Sequence, residues 1–209
     1  MSFTIDPSAL DWAKGEGLLP VIVQQALTGE VLMLGYMNQT ALEHTLAHGY
    51  VTFFSRSKQR LWTKGESSGH VLRLQDVRMD CDADSLLVTA LPQGPTCHRG
   101  TSSCFGEGGE VVPPLGFLAE LDALIARRHD ERPEGSYTTS LFDEGIRRIA
   151  QKVGEEGVET ALAAVAQDDR ALLGEAADLL FHLTVLLRAR GLGLGDAVKV
   201  LAKRHAASR

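Results

Sequence analysis

A glycine- and proline-rich segment between residues 106 and 114 divides the chain into two parts with different sequence patterns. Before it, short β-branched and apolar runs alternate with polar, glycine-bearing loops, which is typical of strands. After it, stretches rich in alanine, leucine and glutamate show no strand-type alternation, which is typical of helices. The pattern predicts two domains: a β-rich α+β domain at residues 1–112 and an all-α helical domain at residues 113–209. A chain of 209 residues is long enough for two domains of about 100 residues each.

The elements expected within each domain follow from the same patterns. In the first domain we predict strands at 18–26, 31–34, 50–54, 71–77 and 85–90, with a tight turn at 28–30. A helix is expected at 40–48, with Thr40 as its cap and Gly49 at its end. In the second domain we predict helices at 115–128, 140–167, 169–190 and 194–207.

Charge and hydropathy exclude several classes of protein. The net charge of −6 argues against a general nucleic-acid binder, which would normally be basic. No apolar run is long enough to span a bilayer, and the N-terminus does not have the pattern of a signal peptide. Three cysteines, an odd number, argue against a disulfide framework. We therefore expect a cytoplasmic protein that binds neither nucleic acid nor membrane.

All three cysteines, Cys81, Cys97 and Cys104, fall within one short part of the first domain. A lone cysteine is usually a small buried apolar residue, but three in so short a segment favour a zinc site. Three thiolates would leave a tetrahedral zinc ion with one open position, as in catalytic rather than structural sites. His98 is then either a fourth ligand or a catalytic base that deprotonates bound water.

Three aspartates surround Cys81, at positions 80, 82 and 84. If this segment is extended, Asp80, Asp82 and Asp84 lie on one face and Cys81 on the other. Three carboxylates on one face favour a hard cation such as Mg²⁺. The alternative is a solvated strand face or turn with no ion.

A loop at residues 55–70 mixes basic, hydroxyl and glycine residues around one tryptophan. Such a loop suits phosphate and ribose, through charge-assisted hydrogen bonds and backbone amides. An ordinary exposed loop is the alternative. The candidate substrate-binding residues here are Arg56, Ser57, Lys58, Trp62, Lys64, Glu66 and Ser67.

Two acidic pairs mark the helical domain. Glu156 and Glu159 are three residues apart on one predicted helix, with Glu155 at the edge of the same face, and Glu175 and Asp178 have the same spacing on the next. A short break at residues 167–169 predicts that the two helices are antiparallel neighbours, so the pairs can meet around Mg²⁺. A solvated acidic face is the alternative, and it is strongest for Glu155.

These segments resemble two known families. The first domain, across roughly residues 10–112, resembles phosphoribosyl-AMP cyclohydrolase at residues 55–70, 80–84 and 97–105. The second resembles phosphoribosyl-ATP pyrophosphohydrolase, a helical relative of the MazG nucleotide pyrophosphatases, at residues 132–138, 152–159 and 175–183. The whole chain is similar to the bifunctional enzymes of histidine biosynthesis that fuse both in this order.

The resemblance implies two consecutive reactions. The helical domain would cleave phosphoribosyl-ATP to phosphoribosyl-AMP and pyrophosphate with Mg²⁺ on the carboxylates, Lys152 as a catalytic residue, and Arg132, Tyr137 and Thr138 as substrate-binding residues. The first domain would then add zinc-activated water at C6 of the adenine ring of phosphoribosyl-AMP and break the N1–C6 bond.

The resemblance also implies a homodimer. Cyclohydrolases of this type draw zinc ligands from both chains, so Cys81 of one subunit would join Cys97 and Cys104 of the other. Two further hypotheses stay open at this point. One is a nucleotide-pool pyrophosphatase whose first domain is only a zinc-stabilised binding module, and the other is a non-enzymatic zinc scaffold.

Overall fold

A computed structural model describes residues 5–106 and 115–207. The chain divides into two compact units, Met1–Phe117 and Leu118–Arg209. The first unit contains strands and the second consists of helices, which confirms the predicted layout. Residues 107–114 lie outside the described residues, so the linker and the boundary near residue 112 stay predictions.

The first unit contains six strands and one α-helix within its described residues. They are β1 (Leu19–Gln25), β2 (Val31–Met37), α1 (Gln39–His48), β3 (Thr52–Ser55), β4 (Arg60–Thr63), β5 (Leu72–Met79) and β6 (Leu86–Pro92). Four strands form one sheet in the order β2-β1-β6-β5, and β3 and β4 form a separate hairpin. β1 pairs antiparallel with β2 and parallel with β6, and β5 pairs antiparallel with β6.

The core of this unit follows the alternation of the strands. Leu19, Val21 and Val23 on β1 are completely buried, because every second side chain of a strand points to the same face. Phe53 of the β3–β4 hairpin is buried against the same cluster, which is worth roughly 1.5–3 kcal/mol for a side chain of this size. Gly35 makes room for it: a Cβ there would lie 2.4 Å from the Phe53 ring.

The second unit contains five helices within its described residues. They are α2 (Gly116–Glu131), α3 (Tyr137–Glu144), α4 (Ile146–Ala166), α5 (Asp169–Ala189) and α6 (Leu194–Ala207). A small apolar core joins α2, α3, α4 and α5 through Ile125, Leu141, Ile149 and Val185. No helix within the described ranges is long and apolar enough to cross a membrane.

Three predicted details were wrong. The cap of α1 is Asn38, whose side chain accepts a hydrogen bond from the Ala41 N–H, and not Thr40; Gly49 does end the helix in a left-handed conformation. The predicted helix at 140–167 is two helices, because Gly145 interrupts it at φ 88° and ψ 171°, outside the helical region. The loop predicted at 55–70 contains a strand, β4, which pairs with β3.

Candidate active sites

The loop that carries Cys97 and Cys104 is fastened to the start of β2. The backbone N–H of Cys104 donates to the carbonyl of Leu32 at 2.8 Å, and the Ser103 hydroxyl donates to the carbonyl of Val31 at 2.7 Å. Within the loop, the N–H of Cys97 donates to the Thr101 carbonyl at 3.0 Å. These bonds fix both cysteines against the sheet.

A cleft of about 520 Å³ opens beside this loop. Its lining joins two segments that are distant in sequence, the β3–β4 hairpin with the turn that follows it and the cysteine loop. Seven of the predicted site residues line it: Trp62, Lys64, Glu66, Ser67, Cys97, His98 and Cys104. The structure therefore brings together most of the residues that the sequence predicted for this site.

Arg56, Ser57 and Lys58 are not among the residues that line the cleft. They lie in the turn between β3 and β4, and the Arg56 guanidinium lies 3.7 Å from the centre of the Tyr36 ring. This stacking is a favourable cation–π contact that holds the side chain against β2. Their role in substrate binding stays a prediction.

His70 also lines the cleft, although it was not among the predicted site residues. A Cβ at position 94 would lie 2.7 Å from its ring, so Gly94 is what allows the imidazole to lie there. The available signal was the position of His70 at the end of the predicted phosphate-binding loop.

The two cysteines of the loop differ in acidity. A hydrogen bond from the backbone N–H of Arg99 lowers the pKa of Cys97, which favours its thiolate. Burial raises the pKa of Cys104, and the positive charge of Lys64 acts in the opposite direction. Both cysteines line the same cleft, and each thiol influences the pKa of the other, so the two sulfurs are near neighbours.

Cys81 lies in the turn between β5 and β6. It is exposed, and its Sγ lies 3.9 Å from Oδ1 of Asp82. Within residues 5–106 and 115–207, two groups of three or more His, Cys, Asp or Glu side chains bring ligand atoms within 4.8 Å of one another, and neither contains a cysteine. A single chain therefore does not assemble the three thiol groups.

The expected extended conformation at Asp80–Asp84 was wrong. The segment is a turn in which Ala83 has φ 60°, so the carboxylates do not follow the alternation of a strand, and Cys81 is not held apart from Asp82. The three carboxylates nevertheless lie within 4.8 Å of one another. The turn itself brings them together.

Hydrogen bonds and one lysine neutralise this acidic turn. Asp80 accepts hydrogen bonds from the Ser85 hydroxyl at 2.6 Å and from the N–H groups of Asp84 and Ser85. The bond from the Ser85 hydroxyl is the main cause that lowers the pKa of Asp80 to about 2. The Lys14 ammonium lies 2.5 Å from a carboxylate oxygen of Asp82 and of Asp84, so it pairs with two of the three carboxylates that the sequence predicted for a metal ion.

The helical unit contains the second group of potential ligands. Glu156 on α4 lies together with Glu175 and Asp178 on α5, and their carboxylate oxygens are within 4.8 Å of one another. Glu156 is only 5% exposed. The predicted meeting of acidic residues from two helices is thus present, with these three as its centre.

Lys152 is the cation nearest to this group on its own helix. Its ammonium lies 2.8 Å from Glu156 and 3.0 Å from Glu155, and both carboxylates raise the pKa of Lys152 above its usual range. The ammonium is therefore permanently charged near neutral pH.

Glu155 and Glu159 differ in their surroundings. The carboxylate of Glu155 accepts hydrogen bonds from Lys152 and Gln151, which lower its pKa. For Glu159, burial and the charges of Glu156 and Glu175 raise the pKa. Glu159 thus lies beside the acidic group, whereas Glu155 is held by its neighbours on α4; metal binding by either one stays a prediction.

A second cleft, of about 570 Å³, lies at the start of α3. Arg132, Ser136 and Tyr137 line it, while Thr138 is not among the lining residues. The Arg132 side chain is oriented by Asp143, at 2.8 Å, and by the His129 carbonyl, at 2.7 Å.

His182, which no sequence motif singled out, connects this cleft to the acidic group. The ring is 4% exposed, and its Nε2 lies 3.1 Å from the Tyr137 hydroxyl. Its Nδ1 lies 2.9 Å from the carbonyl of Asp178 and 3.7 Å from Glu156. The available signal was an imidazole in an otherwise apolar run, four residues after Asp178.

The fold and the sites define a two-domain protein with a cysteine-bearing cleft in its first domain and a carboxylate cluster in its helical domain. Residues 33–106 match the sequence profile of phosphoribosyl-AMP cyclohydrolase, and residues 118–205 match that of phosphoribosyl-ATP pyrophosphohydrolase. Relatives named histidine biosynthesis bifunctional protein HisIE are similar along almost their whole length. The one from Xanthomonas axonopodis pv. citri is 70% identical over 203 residues, covering 97% of this chain and 96% of the relative. The one from Escherichia coli K12 is 58% identical over 196 residues, covering 94% and 95%.

The chain belongs to the family of bifunctional histidine-biosynthesis enzymes in which a phosphoribosyl-AMP cyclohydrolase precedes a phosphoribosyl-ATP pyrophosphohydrolase. Its helical domain hydrolyses phosphoribosyl-ATP to phosphoribosyl-AMP and pyrophosphate, and its first domain opens the adenine ring of phosphoribosyl-AMP. The hypotheses of a mere binding module and of a non-enzymatic scaffold were therefore wrong.

Proposed function

We propose that the ring-opening site uses zinc held by Cys97 and Cys104 of one subunit and Cys81 of a second subunit. The observation that carries this proposal is the placement of the thiols: Cys97 and Cys104 line the same cleft, whereas Cys81 is exposed on another turn. Three thiolates from two subunits would leave one coordination position open for water. Bound zinc would supply a Lewis acid and a water with a pKa of roughly 7.

The residues of this chain would orient the substrate and move the proton. His98 lines the cleft, and its Nδ1 lies 3.9 Å from the Cys97 sulfur, so its ring can accept a proton from water bound beside Cys97. Lys64 is 9% exposed, and a buried ammonium in this cleft suits a phosphate or a developing negative charge. Trp62 offers an aromatic surface for the adenine ring, and Glu66 and Ser67 offer hydrogen-bonding groups for the ribose.

Mixing inactive variants tests the shared zinc site. Cys81→Ala and Cys97→Ala are each expected to lose ring opening. When the two variants are unfolded and refolded together, about half of the dimers contain one chain of each kind. Each of these mixed dimers has one intact site out of two, so about a quarter of the wild-type activity should return. Mixing Cys97→Ala with Cys104→Ala is the matched control, because both defects fall in the same half of the site. Equal activity in both mixtures, or none in the first, would contradict the proposal.

An exposed apolar stripe on α4 supports a homodimer independently of the cysteines. Val158, Leu162 and Val165 lie on one face of the helix and are 60%, 54% and 82% exposed. A stripe of this kind on a soluble protein marks an interaction surface. We infer that a second copy of the chain covers this stripe. Sedimentation of the Leu162→Glu variant at a series of concentrations tests this, because its dimer should dissociate more readily than the wild-type dimer. The control is Glu43→Gln, a substitution on the exposed side of α1, which should leave dissociation unchanged.

In the helical domain we propose Mg²⁺ on Glu156, Glu175 and Asp178, with Glu155 and Glu159 as further carboxylates of the site. Three carboxylates within 4.8 Å, one of them buried, repel one another, and a divalent cation would neutralise that repulsion. The bound ion would polarise the phosphate and orient the attacking water. Lys152 would neutralise charge that develops on the phosphate, and Arg132, Tyr137 and Thr138 would bind the nucleotide. We propose a MazG-like helical fold for this domain on the same grounds.

A second Mg²⁺ at Asp80, Asp82 and Asp84 is proposed for the first domain, where the Lys14 ammonium would have to move away. Arg56, Ser57 and Lys58, exposed beside the cleft-lining segment, would bind the phosphates of phosphoribosyl-AMP.

Reduced thiolates as zinc ligands fit a reducing compartment, and we therefore propose a cytoplasmic location.

A further inference from the structure

His182 has more specific contacts than packing alone requires. It lies on α5 within an apolar run, yet both ring nitrogens have polar partners: the Asp178 carbonyl at 2.9 Å and the Tyr137 hydroxyl at 3.1 Å. At 4% exposure the ring has almost no access to water, so these two contacts must satisfy it.

The two partners determine which nitrogen carries the proton. A backbone carbonyl can only accept, so Nδ1 of His182 must donate to Asp178. In the neutral ring Nε2 then has a free lone pair, and it accepts a hydrogen bond from the Tyr137 hydroxyl. The oxygen of Glu156, at 3.7 Å from Nδ1, is beyond hydrogen-bond distance.

Tyr137 is the first residue of α3 and lines the 570 Å³ cleft together with Arg132 and Ser136. It is 56% exposed, so little apolar burial holds its ring in place. The polar contact of its hydroxyl within the described residues is the hydrogen bond to His182. Its ring also stacks on Phe181, with 6.1 Å between the ring centres. The orientation of an exposed ring therefore depends on a buried imidazole.

The same imidazole contacts the backbone of a proposed metal ligand. Asp178 lies one helical turn before His182, and its carboxylate belongs to the group with Glu156 and Glu175. The ring thus connects the residue that faces the cleft with the helix that carries two of the three carboxylates.

We propose that His182 is a positioning residue for pyrophosphate release. Its ring fixes the Tyr137 hydroxyl, at the edge of the nucleotide cleft, relative to the carboxylates on α5. This inference rests on the proposed role of the 132–138 segment in nucleotide binding. The proton on Nδ1 follows from the geometry, because a ring protonated only on Nε2 would leave the Asp178 carbonyl without this bond.

Two amide substitutions separate the two contacts. The amide of His182→Gln reaches the position of Nε2 and can still accept from Tyr137, whereas the shorter amide of His182→Asn reaches only the position of Nδ1. His182→Asn and Tyr137→Phe are each expected to raise the KM for phosphoribosyl-ATP by about five- to tenfold, the worth of roughly one hydrogen bond. The KM of His182→Gln should lie closer to the wild-type value than that of His182→Asn. In all three variants kcat should change less than KM.

The double variant His182→Asn/Tyr137→Phe gives the decisive comparison. If both residues act through one bond, its KM equals that of either single variant. Multiplied effects would overturn the role of His182 while leaving nucleotide binding by Tyr137 in place. An unchanged KM in Tyr137→Phe would overturn both the inference and the proposed binding role of this segment.

Nitrogen-15 NMR of the histidine ring supplies a readout that does not depend on activity. The wild-type spectrum should show a protonated Nδ1 for His182, and Tyr137→Phe should shift chiefly the Nε2 signal. A wild-type ring without a proton on Nδ1, or an Nε2 signal that Tyr137→Phe leaves unchanged, would overturn the proposal. Equal melting temperatures of the helical domain in His182→Gln and His182→Asn would exclude loss of folding as the cause of a KM difference.

Discussion

Glu30, buried in the turn between β1 and β2, accepts a hydrogen bond from the hydroxyl of Ser102 at 2.9 Å, across 72 positions of sequence. Ser102 lies between Cys97 and Cys104, so this carboxylate holds the loop that carries two proposed zinc ligands. Burying the Glu30 carboxylate away from water costs free energy. Its hydrogen bond to the loop explains why a carboxylate is nevertheless buried at this position.

Glu30→Ala is therefore expected to weaken zinc binding by about 10- to 100-fold, the range for residues that orient metal ligands. Glu30→Gln keeps an oxygen that can accept from Ser102 and should retain most of the affinity. Zinc transfer to a coloured chelator measures the difference, and Ser102→Ala should behave like Glu30→Ala. Unchanged zinc affinity in Glu30→Ala would show that the bond serves folding only.

Lys14 competes with any cation at Asp82 and Asp84, because its ammonium contacts both carboxylates. Lys14→Met is expected to bind Mg²⁺ at this turn more tightly, by a factor of roughly two to five, since exposed ion pairs are weak. Titration calorimetry with Mg²⁺ would measure this change in affinity. Both proteins would carry Cys81→Ala, so that the turn lacks its proposed zinc ligand.

Lys199→Met is the matched control for Lys14→Met. Lys199 forms an exposed ion pair with Asp196 on α6 of the helical unit, and neither residue is a proposed ligand. Its loss should leave Mg²⁺ binding unchanged. A Lys14→Met protein with weaker Mg²⁺ binding than wild type would mean that Lys14 supports the site and does not compete for it.

Asp80 links the stability of the first domain to pH. Its pKa is lowered from about 4 to about 2, chiefly by the Ser85 hydroxyl. A lowered pKa in the folded state means that the stabilisation is fully present above about pH 4 and is lost as the pH falls towards 2. Ser85→Ala should therefore be less stable than wild type at pH 6, and the difference should shrink near pH 2.

Tryptophan fluorescence follows this transition selectively. Both tryptophans, Trp12 and Trp62, belong to the first unit, so urea unfolding monitored by their emission does not report the helical domain. A difference between Ser85→Ala and wild type that stays constant from pH 6 to pH 2 would contradict the assigned cause of the Asp80 shift.

Local patterns were sufficient for much of the fold. β1 and β2 are predictable because apolar residues alternate on both sides of a glycine turn, and α5 because its apolar residues repeat at helical spacing. β4 was missed because four residues carry too little pattern, and its strand conformation depends on pairing with β3. The break at Gly145 was missed because a single glycine inside a helical pattern is often tolerated.

The candidate sites were predictable as sets of residues but not as geometries. Cysteine spacing and acidic pairs point to candidate ligands, because metal chemistry restricts residue types. The contacts of Lys14 with Asp82, of Glu30 with Ser102 and of His182 with Tyr137 were not predictable, because each joins residues far apart in sequence. Only the packed fold brings them together.

The central claim is that two independent sites, one per domain, perform consecutive reactions. The direct measurement is the product pattern of two reciprocal variants supplied with phosphoribosyl-ATP. Cys97→Ala should release pyrophosphate and accumulate phosphoribosyl-AMP. Glu156→Gln should lose pyrophosphate release by at least about 100-fold and still open the ring of added phosphoribosyl-AMP. A mixture of both proteins should complete the sequence. If either variant, still folded, loses both reactions, the two sites are not independent and the claim is wrong.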